Sequence, residues 1–376
     1  MDVDAPLALL GGLSPAAFMR RHWQRRPLLV RQAWPGVAPP LPRAALMALA
    51  AREDVESRLV QREGEGWQVR RGPLPRRALP PLARPGWTLL VQGLDLHVPA
   101  AHAMLSRFRF VPDARLDDLM VSWASPGGGV GPHLDSYDVF LLQVSGRRRW
   151  RIGPTRSAAD ERLVEGAPLK LLADFRPTQS WLLEPGDLLY LPPRWGHDGV
   201  AEGGDCMTCS IGFRAPAADE LAADLLQRLA DGEPGTRLYR DPGQAATARP
   251  GELPPALLAF AQQAVQRRLA ESGALQRALG EALTEPKPRV WFAQAQGLTL
   301  QAGVRLDRRS RMLYDDRHVF VNGEAFRMGG RDARLMRQLA DARALDARAC
   351  AGLSEGARAV LLEWLEDGWL QPGDGA

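Results

Sequence analysis

The chain of 376 residues predicts an α+β protein in three parts: a β-rich barrel over 1–215, a helical stretch over 216–285 and a mixed region over 286–376. Three observations lead there. Short apolar runs bounded by glycine and proline turns fill the sequence up to Phe213. Beyond Ala217 apolar residues recur at three- and four-residue spacing, and near residue 322 an Asn-Gly pair sits between two apolar runs.

Within the first part, Leu119-Met120-Val121-Ser122-Trp123 reads as a strand. The run Pro126-Gly127-Gly128-Gly129-Val130-Gly131-Pro132 then leads into His133-Leu134-Asp135, and Val139 to Val144 is apolar enough to be buried in a barrel wall. A turn is expected at Ser145-Gly146, ahead of Arg147, Arg148, Arg149 and Trp150. A second turn and apolar run, Leu183 to Pro193, delivers His197 sixty-two residues after Asp135.

That arrangement points to a metal. Side chains alternate faces along a strand, so His133 and Asp135 point the same way and can grip one ion. Two imidazoles and a carboxylate that leave coordination positions open suit non-haem Fe(II) activating dioxygen, with zinc and water as the nearest rival. A His-x-Asp triplet alone arises by chance in surface turns. The glycines before it, which let backbone approach closely, and the buried strand after it supply the context. Three arginines at the head of a strand force one parity inward, and an inward arginine needs an anion such as a dicarboxylate cosubstrate. Parity by itself does not choose among them.

Composition narrows the class. A hydrophobic content of 45% is ordinary for a globular chain, and the net charge of +4 permits a ribonucleoprotein partner without demanding one. Of the 48 basic residues only Lys170 and Lys287 are lysine, a coding bias more than a binding demand. Pro6 to Leu10 is too short and too acidic in its approach for a signal peptide, and no run reaches the roughly twenty apolar residues of a membrane span, so a cytoplasmic protein is expected. Cys206, Cys209 and Cys350 form no disulfide pattern. Cys206 and Cys209 have CxxC spacing, yet in a strand their sulfurs face opposite sides, which argues against a metal or redox pair. His22, His97, His102 and His318 lack a second ligand at useful spacing and read as structural.

In the second part, helices are expected over Ala217 to Leu229 and Pro255 to Leu283, with loops at Asp231 to Gly235 and Asp241 to Pro254. The third part begins after Pro288. Strands are expected at Met312 to Tyr314 and His318 to Val321, a type I′ turn at Asn322-Gly323, a return over Glu324 to Arg327, and helices at about Asp332 to Ala342 and Ser354 to Trp369. A hairpin beside helices suggests a winged helix. Its last helix sets Glu355, Glu363, Glu366 and Asp367 against Arg358, a face that phosphate would repel, so no direct DNA binding is expected.

Four stretches carry a family resemblance that runs in order over nearly the whole chain. They are Phe18 to Ala33, Gly127 to Phe140 (GGGVGPHLDSYDVF), Gly146 to Trp150 (GRRRW) and Glu184 to Pro193 (EPGDLLYLPP). Together they resemble the JmjC ribosomal oxygenases, in particular the bacterial branch that hydroxylates an arginine of large-subunit ribosomal protein sixteen. The resemblance implies a double-stranded β-helix (JmjC/cupin-like) barrel, a helical dimerisation module that makes a homodimer, and a winged-helix-like domain at the carboxy end. It also implies Fe(II), 2-oxoglutarate and O2, with His133, Asp135 and His197 as iron ligands, Arg148 on the distal carboxylate of 2-oxoglutarate and Ser122 as a second contact. The implied reaction is hydroxylation of an arginine β-carbon in a ribosomal protein. An arginine substrate wants an acid and an aromatic wall, and Tyr137 and Asp138 lie close enough in sequence to supply them, Tyr137 sharing the parity of Asp135. The same iron core serves histidine hydroxylases and lysine demethylases of the wider family. A non-catalytic cupin-like binding module and a transcription regulator are the readings from other classes.

Overall fold

The computed structural model of the protein describes residues 2–64, 66–155, 161–231, 237–242 and 244–373. The chain divides into two compact units, Met1–Ala215 and Pro216–Ala376.

The first unit is built on one antiparallel sheet. Its strands are β1 (Leu28–Val30), β2 (Ser57–Glu63), β3 (Gly66–Arg71), β4 (Trp87–Val91), β5 (Leu116–Ala124), β6 (Val139–Pro154), β7 (Gln179–Leu183), β8 (Leu188–Leu191) and β9 (Trp195–Phe213). They lie in the order β1-β8-β6-β9-β5-β4-β2-β3, with β7 added to β6. Three helices join them: α1 (Pro15–Arg21), α2 (Arg43–Leu49) and α3 (Pro99–Ser106). Helix α1 starts where it does because Ser14 accepts the Ala17 N–H and Pro15 fills the first helical position, where no donor is needed.

One sheet face is closed by aromatic packing. Phe18 of α1 and Phe108 after α3 meet Phe140 of β6 at ring separations of 5.4 and 4.9 Å, and Phe18 meets Tyr190 of β8 at 4.9 Å. Leu119, Val121 and Trp123 of β5 and Met207, Cys209, Ile211 and Phe213 of β9 turn to that same core, so the intervening residues of these strands face the other way.

The expected turn at Ser145-Gly146 is a bulge inside a single 16-residue strand. The two-residue step from Gln143 to Ser145 on β6 is opposed by the one-residue step from Thr208 to Met207 on β9, and the pairing then jumps to Arg147 against Glu202. Gly146 sits at φ +61°, and a Cβ there would lie 2.9 Å from the Cys206 Cα, so only glycine fits. Because side chains repeat every second residue, the irregularity exchanges faces: Val139 and Leu141 cluster with Trp150 and Ile152, two odd positions with two even ones. His197, expected at the end of the apolar run Leu188 to Pro193, lies instead in the next strand, β9, beyond a turn at Arg194 with φ +64°.

Asp138 is a core residue of this unit. It is fully buried and accepts from Tyr190 Oη at 2.6 Å and Gln24 Nε2 at 3.1 Å, with Arg115 Nη2 at 3.4 Å. Tyr190 in turn accepts the Gln24 N–H at 2.8 Å, so the carboxylate ties the segment after α1 to β8.

The second unit contains helices α4 (Ala218–Ala230), α5 (Pro255–Ala270) and α6 (Ala274–Thr284). The single helix expected over 255–283 is broken at Gly273, which has φ +80°. The loop expected at 231–235 lies outside the described residues beyond Asp231. Strand β10 (Val304–Leu306) precedes a hairpin sheet of β11 (Met312–Tyr314), β12 (His318–Val321) and β13 (Glu324–Arg327). Asn322 and Gly323 have φ of +50° and +93°, the left-handed pair that a type I′ turn requires. Then come α7 (Gly330–Ala342), β14 (Ala344–Leu345), α8 (Ala347–Ala351), α9 (Glu355–Glu366) and β15 (Leu370–Pro372). The sheet β14-β10-β15 and helix α8 were not legible in the sequence, being elements of two to five residues. Trp364 of α9 packs edge-on to Phe326 at 5.0 Å, beside Val319, Val321, Met336, Leu339 and Leu361.

Removing the buried carboxylate leaves Tyr190 Oη and Gln24 Nε2 without the acceptor they share. Asp138→Ala should therefore lower stability by about 3 kcal/mol in urea unfolding, with divalent-metal affinity unchanged.

Candidate metal centre

His133 and His197 are fixed to each other through the main chain. His133 N–H donates to the His197 carbonyl and His197 N–H to the His133 carbonyl, both at 3.0 Å. Such an exchanged pair projects both side chains to one side of the sheet, and the two rings lie 4.2 Å apart. His133 reaches this position as an isolated bridge residue, not within a strand, and the turn after it carries Asp135. The Asp135 carbonyl accepts the Arg194 N–H at 2.9 Å, which holds that turn against the start of β9.

The three ligand-type atoms converge. Asp135 Oδ1 lies 3.9 Å from His133 Nε2 and Oδ2 lies 3.5 Å from His197 Nε2. Among the described residues this is the one cluster of three His, Cys, Asp or Glu groups close enough to hold a metal ion, all within 4.8 Å. The tautomers follow from the other ring nitrogens. His133 Nδ1 lies 2.9 Å from the Gly131 carbonyl and His197 Nδ1 lies 2.9 Å from the Trp195 carbonyl. A carbonyl oxygen only accepts, so each Nδ1 carries the hydrogen and each Nε2 offers its lone pair. Burial, and after it the His133 ring, lowers the His197 pKa to about 4 from its ordinary value of 6.5, which keeps the imidazole in the ligating form. The glycine run ahead of His133 serves close packing rather than approach to the ion: a Cβ on Gly129 would lie 2.5 Å from the Gly199 carbonyl of β9.

Arg148 is the arginine that turns inward. It is 4% exposed, whereas Arg147 and Arg149 are exposed and Arg149 pairs with Glu202. Arg148 Nη1 donates to Ser122 Oγ at 3.1 Å, and Nε and Nη2 are buried without a partner. Since β6 pairs Arg148 with Ala201 and Ile152 with His197, and alternate residues share a face, the guanidinium lies on the same face as the histidine. A buried guanidinium with two nitrogens left without acceptors fits an anion.

Tyr137 lies half-exposed beside the cluster, and burial, then the Asp135 and Asp118 carboxylates, push its hydroxyl well above 10. The sequence reading missed Asp118. This buried residue of β5 accepts from Gln92 Nε2 at 2.8 Å and the Gly93 N–H at 3.0 Å through Oδ2. Its Oδ1 and the Tyr137 ring edge each stand 3.9 Å from the place where a Cβ of Gly212 would be. An acid and an aromatic wall thus face each other over a residue without a side chain. Asp118 shares parity with Ser122, a signal present in the sequence. Asp138, the acid expected in this role, sits with its oxygens in the core described above. Cys206 and Cys209 are buried in separate clusters on opposite faces of β9.

Comparison with known proteins gives the same picture. Residues 103–221 match the JmjC domain and 267–371 the ROXA-like winged helix. The chain is 39% identical over 243 residues to the ribosomal protein uL16 3-hydroxylase of Escherichia coli, an alignment covering 63% of this chain and 62% of that one, less than two thirds of the relative's length. It is 28% identical to a probable ribosomal oxygenase of Haemophilus influenzae over 95% of this chain and 96% of that one. The crystal structure of Escherichia coli ribosomal oxygenase YcfD superposes with a TM-score of 0.80 at 31% identity, covering 94% of this chain and 96% of that one. This chain belongs to the JmjC ribosomal oxygenases. YcfD in complex with cobalt and 2-oxoglutarate matches with a TM-score of 0.81 at 30% identity, over 96% and 98% of the two chains.

A divalent metal and a dicarboxylate fit the residues of this JmjC site: two neutral imidazoles and a carboxylate for the ion, and the unmet donors of Arg148 for the anion. Replacing His133, Asp135 or His197 singly by alanine should weaken Co(II) binding by at least about tenfold in equilibrium dialysis. Arg148→Ala should leave it unchanged, because the guanidinium is not a ligand.

Proposed function

We propose that the protein is an Fe(II)- and 2-oxoglutarate-dependent oxygenase that hydroxylates an arginine side chain, at its β-carbon, in a ribosomal protein of the large subunit. The observation that carries the reading is Arg148, buried with two unmet donors on the face that bears the two histidines and the carboxylate. His133, Asp135 and His197 would hold the iron. Arg148, steadied by Ser122, would hold the far carboxylate of 2-oxoglutarate. Iron with 2-oxoglutarate and O2 supplies the oxidant that puts one oxygen atom into a C–H bond, with release of succinate and CO2.

The chain's own contribution is placement. The carbonyls of Gly131 and Trp195 hold both imidazoles in the ligating tautomer, and Arg148 neutralises one end of the cosubstrate in a buried setting where that pairing is strong. The substrate guanidinium enters the gap over Gly212, against Asp118 and the Tyr137 ring. No residue is asked to act as acid, base or nucleophile.

The wider architecture is inferred with it. The two-faced antiparallel sheet and the His133–His197 bridge support a double-stranded β-helix barrel around the site. In the helical region α5 has no buried residue and exposes Leu258, Val265 and Leu269, a stripe that supports a dimerisation surface. The acidic face of α9 supports a winged helix that binds protein or serves structure. No helix among the described residues is long and apolar enough to cross a membrane. A ribosomal substrate supports a cytoplasmic location.

The deciding experiment loads the protein anaerobically with Fe(II), then adds O2, 2-oxoglutarate and peptides containing arginine, histidine or lysine. One added oxygen on the arginine peptide together with succinate is expected. Oxidation of the histidine peptide instead would transfer the chain to the histidine hydroxylases, and the absence of both oxidised peptide and succinate would overturn the enzymatic reading. For the dimer, Val265→Asp with Leu269→Arg should halve the mass seen by sedimentation equilibrium while leaving the helical signal in circular dichroism.

A further inference from the structure

We propose that Gln143 is a positioning residue for the cosubstrate: its side-chain amide fixes the bulge in β6 that turns Arg148 into the site. The inference rests on the reading that Arg148 holds the far carboxylate of 2-oxoglutarate.

Gln143 is completely buried, and every polar atom of its side chain is engaged. Nε2 donates to the Ser145 carbonyl at 2.7 Å and lies 3.3 Å from the Gly146 carbonyl and 3.4 Å from Cys206 Sγ. Thr208 Oγ1 donates to Oε1 at 2.8 Å, which decides which end of the amide faces the bulge. Its main chain is tied as firmly, the N–H donating to the Asp187 carbonyl at 3.0 Å and the carbonyl accepting the Gly186 N–H at 2.9 Å.

The two carbonyls it holds belong to the residues where β6 leaves regular register with β9. A regular strand would send Gln143, Ser145 and Arg147 to one face and Arg148 to the other. With the bulge in place the inward row continues as Arg148, Trp150 and Ile152. A bulge leaves carbonyls out of the ladder, and those of the half-buried Ser145 and Gly146 turn toward the buried amide for donors. The amide of Gln143 provides them at the one point where the strand must change faces. A glutamate would set oxygen against the Ser145 oxygen, and a leucine would fill the space without donating.

The consequence is specific. Loss of the amide should disturb the aim of Arg148 more than the metal ligands, which are held by their own backbone pair. It should therefore weaken recognition of the far carboxylate and spare the 2-oxo acid end.

The test is calorimetric titration of the full-length, Co(II)-loaded protein with 2-oxoglutarate and with 2-oxopentanoate, which keeps the 2-oxo acid and lacks the second carboxylate. The ratio of the two affinities reads the contribution of the far carboxylate. Arg148→Leu should abolish the preference, and if it does not, the reading of Arg148 is wrong and the proposal falls with it. Gln143→Glu and Gln143→Leu should reduce the preference about ten- to a hundredfold, the range usual for residues that orient a ligand-binding group, with Co(II) and 2-oxopentanoate affinities kept. Thr208→Val removes only the hydroxyl that orients the amide. It should give a smaller loss in the same direction, and it covers the case in which the Gln143 variants do not fold. A preference lost in Arg148→Leu but intact in the Gln143 and Thr208 variants overturns the proposal. So does a loss that falls equally on Co(II) and both acids, which would mark a merely structural role.

Discussion

The pair of hydrogen bonds exchanged by the main chains of His133 and His197 is the constraint on which the site depends. Two residues sixty-four apart in the chain are set in register by backbone alone, so the convergence of their rings does not require a bound ion. Asp135 needs only a two-residue turn to join them, and the Arg194 N–H holds that turn. The ring nitrogens not facing the site are committed to carbonyls, and this leaves one outcome for the tautomers. Preorganisation of this kind lowers the cost of assembling the centre when the metal arrives.

Arg148 stands on the opposite principle, an unmet demand. A guanidinium loses strong hydration on burial, and the single bond to Ser122 does not replace it. The first unit tolerates that cost because the inward face of β6 offers Arg148 no alternative direction. Its exposed neighbours Arg149 and Arg151 pair with carboxylates, Arg149 with Glu202 and Arg151 with the buried Asp198. The same strand thus carries arginines in two electrostatic situations, and only the buried one retains the capacity to bind a ligand tightly.

What the sequence disclosed follows a physical division. The Asn-Gly turn and the onset of helical periodicity are local patterns, and each lies where it was read; the two histidines and Asp135 do converge, but His133 and Asp135 do so outside any strand and His197 from the strand after the one expected. The face of Arg148 was not readable, because it depends on a bulge whose glycine looked like an ordinary turn and whose register is set by β9, more than fifty residues later. Asp138 was misplaced for a related reason: proximity in sequence to the ligands suggested the site, but the chain after Asp135 turns that side chain into the core, where Tyr190 and Gln24 meet it. Asp118 was missed because its partner across the gap, Gly212, contributes by having no side chain. The break at Gly273 escaped notice since one glycine inside a periodic pattern is compatible with either a continuous or a broken helix.

This division bears on how specificity can vary within such a protein. The metal ligands and Arg148 lie on β6, on β9 and in the segment before β6, and the bonds that hold them, the main-chain pair of His133 and His197 and the Ser122 hydroxyl on Arg148, do not involve the substrate. The gap proposed for the substrate is bounded by two side chains, those of Asp118 on β5 and Tyr137 after the ligands, over the bare backbone of Gly212. A larger residue at 212 would fill the space between the acid and the ring, and a neutral residue at 118 would leave a guanidinium without its counter-charge, while neither change touches the bonds that place the histidines. On the proposed reading, chemistry and choice of substrate are therefore separable: changes at Asp118, Tyr137 or Gly212 alter the gap without touching the main-chain bonds that place His133 and His197.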